Sequence, residues 1–326
     1  MIRRILVLGL SALLLTGCGP LPAEEHAFAV VLAVDVQDSL WRMSVRMPSY
    51  VASGKYMTCT GEGETIQQAA AALAADAPMP LDLGQLRLTV VTERLAASPM
   101  MPEALAWLEA REDLRLQAVL CVTQGDMDVL MEASNPTTGS RLSKSLQVAL
   151  ESGAGQGIIP LCTLSEALRL GERQTPVFPL VEATPDGKSL HFSGGWAQGM
   201  VFSEEDCRCL MLLTGAWKKG TFPLGEGEIT LLDASVCPQI SQNTAVVKGS
   251  VTAATRGVAP EEAQTLLTEK ITLLMMDTSA AGLDVLGLKR QAIREALTAA
   301  KWQEDRWQER LRSLNWQVEL DFLWQD

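Results

Sequence analysis

Residues 27–47 read AFAVVLAVDVQDSLWRMSVRM, and this stretch decides the fold class. Ala27 to Val34 is an unbroken apolar run closed by Asp35, the mark of a strand covered on both faces. From Trp41 the pattern changes. Trp41, Met43, Val45 and Met47 alternate with Arg42, Ser44 and Arg46, the period of a strand buried on one face only. Gln37, Asp38 and Ser39 supply the turn between the two.

Helix signals follow. After a loop containing Cys59, Thr65 and Gln68 are spaced as a capping box, and Ile66, Ala69, Ala70 and Leu73 make a narrow face of mostly small residues suited to close packing on a sheet. Leu86, Leu88 and Val90 alternate as a strand, Pro102 opens a second helix with Leu105 and Leu108 inward, Leu116 to Thr123 is a further strand, and Asp126 to Met131 is a short helix. The order ββαβαβα specifies a mixed α/β fold with helices layered on mixed sheets. Beyond a polar break at Asn135-Pro136, Gly139 to Gly153 carries a helix with Leu142, Leu146, Ala149 and Leu150 inside. Thr163 and Glu166 form another capping box, with Gly171 placed to end that helix.

Thr184-Pro185-Asp186-Gly187 is a turn between extended segments 177–183 and 188–196, and a domain boundary is expected near it. The expected division is residues 27–183 as an N-terminal α/β region, with room for two subdomains, and residues 188–326 as a C-terminal α/β domain. In the latter, Ser203 caps a helix to about Leu213, segments 227–232 and 245–253 are extended, and a helical zone runs from Pro260 to about Leu311 with a break at 282–287. Trp316, Val318, Leu320, Phe322 and Trp324 alternate with mostly polar residues as a closing strand. The tryptophans crowded there (Trp302, Trp307, Trp316, Trp324) read as core, with an interface cluster as the alternative.

The 326 residues are 47% hydrophobic and 20% charged, an ordinary globular composition with length for about two domains. Twenty-seven basic against 39 acidic side chains give a net charge of −12, which argues against nucleic acid as a partner. Two histidines, His26 and His191, exclude most zinc sites and most histidine-based acid–base schemes. No phosphate loop, nucleophile elbow, HExxH or EF-hand is present, so no catalytic residue, metal or cofactor is expected and the chain does not read as an enzyme. Gly61-Glu62-Gly63 and Gly153 to Gly157 read as flexible turns, and Glu204, Glu205 and Asp206 as acids favouring a helix start.

The N-terminus reads as an address. Arg3 and Arg4 precede an apolar stretch from Ile5 to Leu15, too short to span a bilayer but right for a secretory signal. Leu15-Thr16-Gly17-Cys18 looks like a bacterial lipobox. Residues 1–17 are then the signal peptide, Cys18 the lipidated first residue of the mature chain, and 18–26 a tether. Acyl chains contribute about 0.8 kcal/mol per buried methylene, so two or more hold the body firmly on the extracytoplasmic face of the cell membrane. Six other cysteines (Cys59, Cys121, Cys162, Cys207, Cys209, Cys237) read as free or structural, with a disulfide as the alternative outside the cytoplasm.

Several of these features together resemble the Ger(x)C family, the lipoprotein C subunits of bacterial spore germinant receptors. They are Cys18 followed by Ala29 to Asp35, the helix start Gly63-Glu64-Thr65-Ile66-Gln67-Gln68-Ala69, Asp113-Leu114-Arg115 leading into LQAVLCVTQG with Asp128-Val129-Leu130, Gly194 to Phe202, Asp284 to Leu288, and Trp307 with the closing strand. The resemblance implies a multi-domain α/β chain and a non-enzymatic subunit acting in nutrient-triggered germination. Its implied partners are integral-membrane subunits of A and B type, and its implied place is the spore inner membrane. The alternative reading is an extracytoplasmic solute-binding lipoprotein of a transporter, which predicts a deep cleft between two similar lobes.

Overall fold

The computed structural model describes residues 26–48, 56–133, 142–171, 173–187, 189–296, 302 and 304–325. The signal peptide, Cys18 and the Asn135-Pro136 break lie outside them.

Through residue 202 the elements are β1 (Ala27–Phe28), β2 (Val31–Gln37), β3 (Leu40–Pro48), β4 (Tyr56–Gly63), α1 (Ile66–Asp76), β5 (Leu81–Asp82), β6 (Leu88–Thr92), α2 (Glu93–Ala96), α3 (Met101–Glu109), β7 (Val119–Thr123), α4 (Met127–Glu132), α5 (Leu142–Gly155), α6 (Leu164–Leu170), β8 (Phe178–Ala183), β9 (Leu190–Ala197) and β10 (Met200–Phe202). Eight strands form one mixed sheet in the order β10-β9-β8-β7-β6-β2-β3-β4, while β1 and β5 make a separate parallel pair. The central strands β2, β6, β7 and β8 run parallel. Their apolar runs follow from cover on both faces. One core joins the sheet to α1, α2, α3 and α6, and a second joins its other face to α4 and α5.

The first apolar run is interrupted. Ala27 and Phe28 pair with Leu81 and Asp82, and only from Val31 does the chain enter the large sheet. Asp38 and Ser39 both take positive φ (50° and 66°), the geometry of the two-residue turns that join twisted antiparallel strands. Strand β3 departs from the half-buried expectation, because Ser44 and Arg46 are each only 1% exposed. Helix α4 covers that side, Ser44 Oγ meets Thr60 Oγ1 at 2.8 Å, and the Tyr56 ring lies 4.6 Å from the Arg46 guanidinium.

Cys59 lies on β4, where a loop was expected. Gly61 and Gly63 are packing residues and not turns. A Cβ on Gly61 would meet the Leu73 backbone nitrogen at 2.1 Å, so α1 approaches β4 more closely than any side chain permits. Thr65 Oγ1 accepts from the Gln68 N–H, but the Gln68 amide turns to the Glu64 N–H, leaving the expected box half formed. In α3, Ala104 and Leu108 are buried and Leu105 is partly so; in α5, Leu146 and Leu150 point inward whereas Ala149 is exposed. The Thr163–Glu166 capping box is complete.

The turn at 184–187 is a hairpin inside the large sheet, joining neighbouring antiparallel strands β8 and β9. Sheet membership changes only after β10. Then come α7 (Glu204–Leu213), β11 (Gly220–Leu224), β12 (Gly227–Ser241), β13 (Thr244–Arg256), α8 (Pro260–Ala280), α9 (Leu288–Glu295), α10 (Glu304–Arg312) and β14 (Asn315–Trp324). The second sheet has the order β11-β12-β13-β14, with β14 parallel to β13. Its third core joins α7, α8, α9 and α10 to one face, with Trp307 fully buried and Trp316 donating to Ser279 Oγ at 2.8 Å.

Strands β12 and β13 extend well past the expected segments. Pro238 is tolerated in β12 because β11 pairs only as far as Leu231, so no neighbour needs a proline N–H there. Gln291 of α9 covers this open edge instead. It donates from its amide to Pro238 O at 2.9 Å and accepts from Ile240 N–H at 3.2 Å, as a neighbouring strand would.

Candidate functional site

Cys18, the expected lipidation residue, lies outside the described residues, but the first residues of the folded body do not. Ala27 N–H donates to Pro80 O at 2.9 Å, Ala29 N–H to Asp82 O at 3.0 Å, and His26 Nδ1 is 4.0 Å from Asp82. The β1–β5 pair therefore holds the chain from Ala27 onward against the first core.

Open α/β sheets place ligands beyond the carboxyl ends of their parallel strands. Here that position holds an internal polar cluster. Buried Asp35, at the end of β2, accepts from the Val36 N–H, the Thr92 hydroxyl and the Arg94 guanidinium. Glu93 accepts from Trp196 Nε1 at 2.9 Å and from Gln124 at 3.0 Å. Donors from Thr92 at the end of β6, Arg94 on α2, Gln124 just after β7 and Trp196 on β9 meet the two acids and tie these elements to the end of β2. Sequence reading marked Asp35 only as the close of an apolar run, since the side-chain partners in this cluster lie 31 to 103 positions apart.

The six described cysteines are free thiols, five buried and Cys237 exposed. Burial pushes Cys162 and Cys209 up to about 12, and Cys207 higher still, with nearby carboxylates adding to the effect. Cys207 and Cys209 face the third core from α7, whose Ser203–Asp206 capping box is complete. A thiol so raised stays protonated and behaves as a small apolar group. His191 is exposed on β9, far in sequence from His26. Among the described residues no cluster of His, Cys, Asp or Glu could hold a metal, and no helix is long and apolar enough to cross a membrane.

Two regions of the chain are locked together at residues 173–177 and 284–287. Thr175 N–H donates to Asp284 O at 2.9 Å, Asp284 N–H to Thr175 Oγ1 at 3.1 Å, and Gln174 Nε2 to Val285 O at 2.8 Å. Asp284 also caps α9, accepting from Leu288 and Lys289 N–H at 2.8 and 2.7 Å. Two clefts adjoin this clamp's surroundings. One of about 690 Å³ is apolar, between α3, α6, Phe178 and Trp196; another of about 460 Å³ lies between the end of α6 and α9.

A family profile described as the spore germination protein N-terminal domain matches residues 21–183. The chain belongs to the Ger(x)C family. The matched span covers the start of the folded body, most of the first two cores and the strands up to the end of β8. One solved structure, the crystal structure of the GerBC protein, is similar at 14% identity over 90% of this chain and 97% of that one, with a TM-score of 0.48. No curated protein sequence matches. The Ger(x)C signals named in the sequence fall on structural joints: Gly63 to Ala69 where α1 meets β4, and Asp284 to Leu288 at the clamp and the start of α9.

Proposed function

We propose that this chain is the lipid-anchored C-type subunit of a nutrient germinant receptor, acting through contacts and not through chemistry. Cys18 carries the lipid, residues 18–26 tether the body to the extracytoplasmic face of the membrane, and in a spore that membrane is the inner one. Integral-membrane subunits of A and B type are its partners. The observation that carries this reading is the spore germination match, which begins at residue 21, immediately after the Leu15-Thr16-Gly17-Cys18 box. Among the described residues the two larger sheets, of eight and four strands, differ in topology, which supports this reading over a solute-binding lipoprotein of two similar lobes.

The test is a Cys18→Ala chain expressed in sporulating cells. Loss of metabolic palmitate labelling, loss from the membrane fraction and slowed nutrient germination are the expected results, with A and B type subunits co-purifying with the unaltered chain only. A variant that still reaches the membrane and supports normal germination would overturn the proposal.

A further inference from the structure

The cleft between the end of α6 and α9 is lined by Arg169, Arg173, Arg290 and Arg294, in a chain whose net charge is −12. All four are exposed, and among the described residues none of their guanidinium groups has an ion-pair or hydrogen-bond partner. Glu172 lies outside the described residues. The other polar side chains of the lining are already engaged: Gln174 bonds Val285 O, and Gln291 bonds the edge of β12. Arg290 and Arg294 stand at i and i+4 on α9, where like charges repel and destabilise a helix. Yet the walls are held firmly. The Thr175–Asp284 and Gln174–Val285 bonds fix one against the other, and Gly287, at φ +69°, lies so near Gln174 that an added Cβ would meet its Oε1 at 3.2 Å.

We propose that this cleft is a binding site for a phosphate-bearing anion. Guanidinium groups are planar forks that match phosphate oxygens two at a time, and four of them converge on a concavity of about 460 Å³. A carboxylate neutralises one charge; a phosphoryl group offers up to two charges and three acceptor oxygens, the better match to four cations. Within an acidic protein such a cleft is a local reversal of potential, so it draws an anion that the rest of the surface repels. Free phosphate offers that full complement, and a phospholipid diester headgroup offers one charge and two non-bridging oxygens to the same guanidinium forks. The inference stands independently of the anchoring of Cys18.

The experiment is a calorimetric titration of the full chain in neutral detergent, at ionic strength matched with sodium chloride. The titrants are inorganic phosphate, short-chain phosphatidylglycerol and poly-glutamate. Saturable binding of phosphate or phosphatidylglycerol is expected, weakened at least tenfold in the Arg290→Gln/Arg294→Gln chain and unchanged in Lys248→Gln, whose lysine pairs with Glu319 on the second sheet. Whichever of the two binds tighter identifies the source. Circular dichroism checks that the double variant is folded; if it is not, the Arg169→Gln/Arg173→Gln chain gives the same comparison. Binding that survives both substitutions, no binding of either phosphate compound, or binding of poly-glutamate alone would each overturn the proposal, the last in favour of an acidic protein segment.

Discussion

The two sheets solve the burial problem in opposite ways. In the eight-stranded sheet β2 and β6 are buried at nearly every position, whereas β13 and β14 of the four-stranded sheet alternate between buried and exposed. The first is a filling between two helical layers; the second has helices on one face and water on the other. A continuous apolar run and an alternating one are thus two readings of the same quantity, the number of covered faces.

Thiol chemistry gives the widest contrast. Cys237, on the open sheet, should react with a thiol reagent in the folded chain, while Cys59, Cys121, Cys162, Cys207 and Cys209 wait for opening of the fold. With folding free energies of several kcal/mol the rates should differ by about a thousandfold or more. Mass spectrometry of the labelled chain should find one fast thiol after residue 18, lost in Cys237→Ser. Two or more fast thiols would mean that a core is open.

Backbone contact comes next. Gly61→Ala places a Cβ against the Leu73 nitrogen and the Ala69 carbonyl of α1, and should cost about 3 kcal/mol or more in urea unfolding. Gly155→Ala, with nothing within 4 Å of the added carbon, should instead stabilise by roughly 0.5–1 kcal/mol. Equal effects at the two positions would remove close packing of α1 on β4 as the reason for Gly61.

Side-chain truncation sharpens the same point. Leu32→Ala, in the middle of the doubly covered sheet, should lose about 3 kcal/mol, while Leu323→Ala, 66% exposed on β14, should stay within about 0.5 kcal/mol. A large loss at Leu323 in the isolated chain would show that the open face is covered after all.

The smallest effect is on pH dependence. Burial raises the Asp284 carboxyl above its ordinary value, against the opposing pull of the N–H groups it caps. A carboxyl raised in the folded state contributes stability in full below its unfolded value, and loses it as pH rises through the folded one. Stability should therefore fall with rising pH across that window in the natural chain. In Asp284→Asn this part of the slope should disappear, as urea midpoints measured across the window will report.

Much of this architecture is legible in the amino-acid sequence because its strongest signals are local. The AFAVVLAV run, the Thr163 capping box, the Ser203 cap and the alternation from Trp316 to Trp324 each describe a face or an end. What escapes is whatever a distant element decides. Strand β4 (YMTCTGEG) lacks apolar alternation because its glycines are cut to the shape of α1. Ser44 and Arg46 read as solvent-facing until α4 covers them. The far half of β12 (DASVCPQIS) contains a proline that only a short neighbour permits. The arginine cleft is the extreme case: Arg290 and Arg294 are neighbours on one helix, but their partners Arg169 and Arg173 lie more than a hundred positions upstream, and no periodicity connects them.

The Gln291 amide that imitates a strand along β12 has a consequence for the chain's behaviour in company. Without α9 seated there, the outer half of that strand would offer bare N–H and C=O groups at a sheet margin, a template onto which another copy could zip. One glutamine on a short helix thus occupies the sheet margin that a second copy would otherwise pair with.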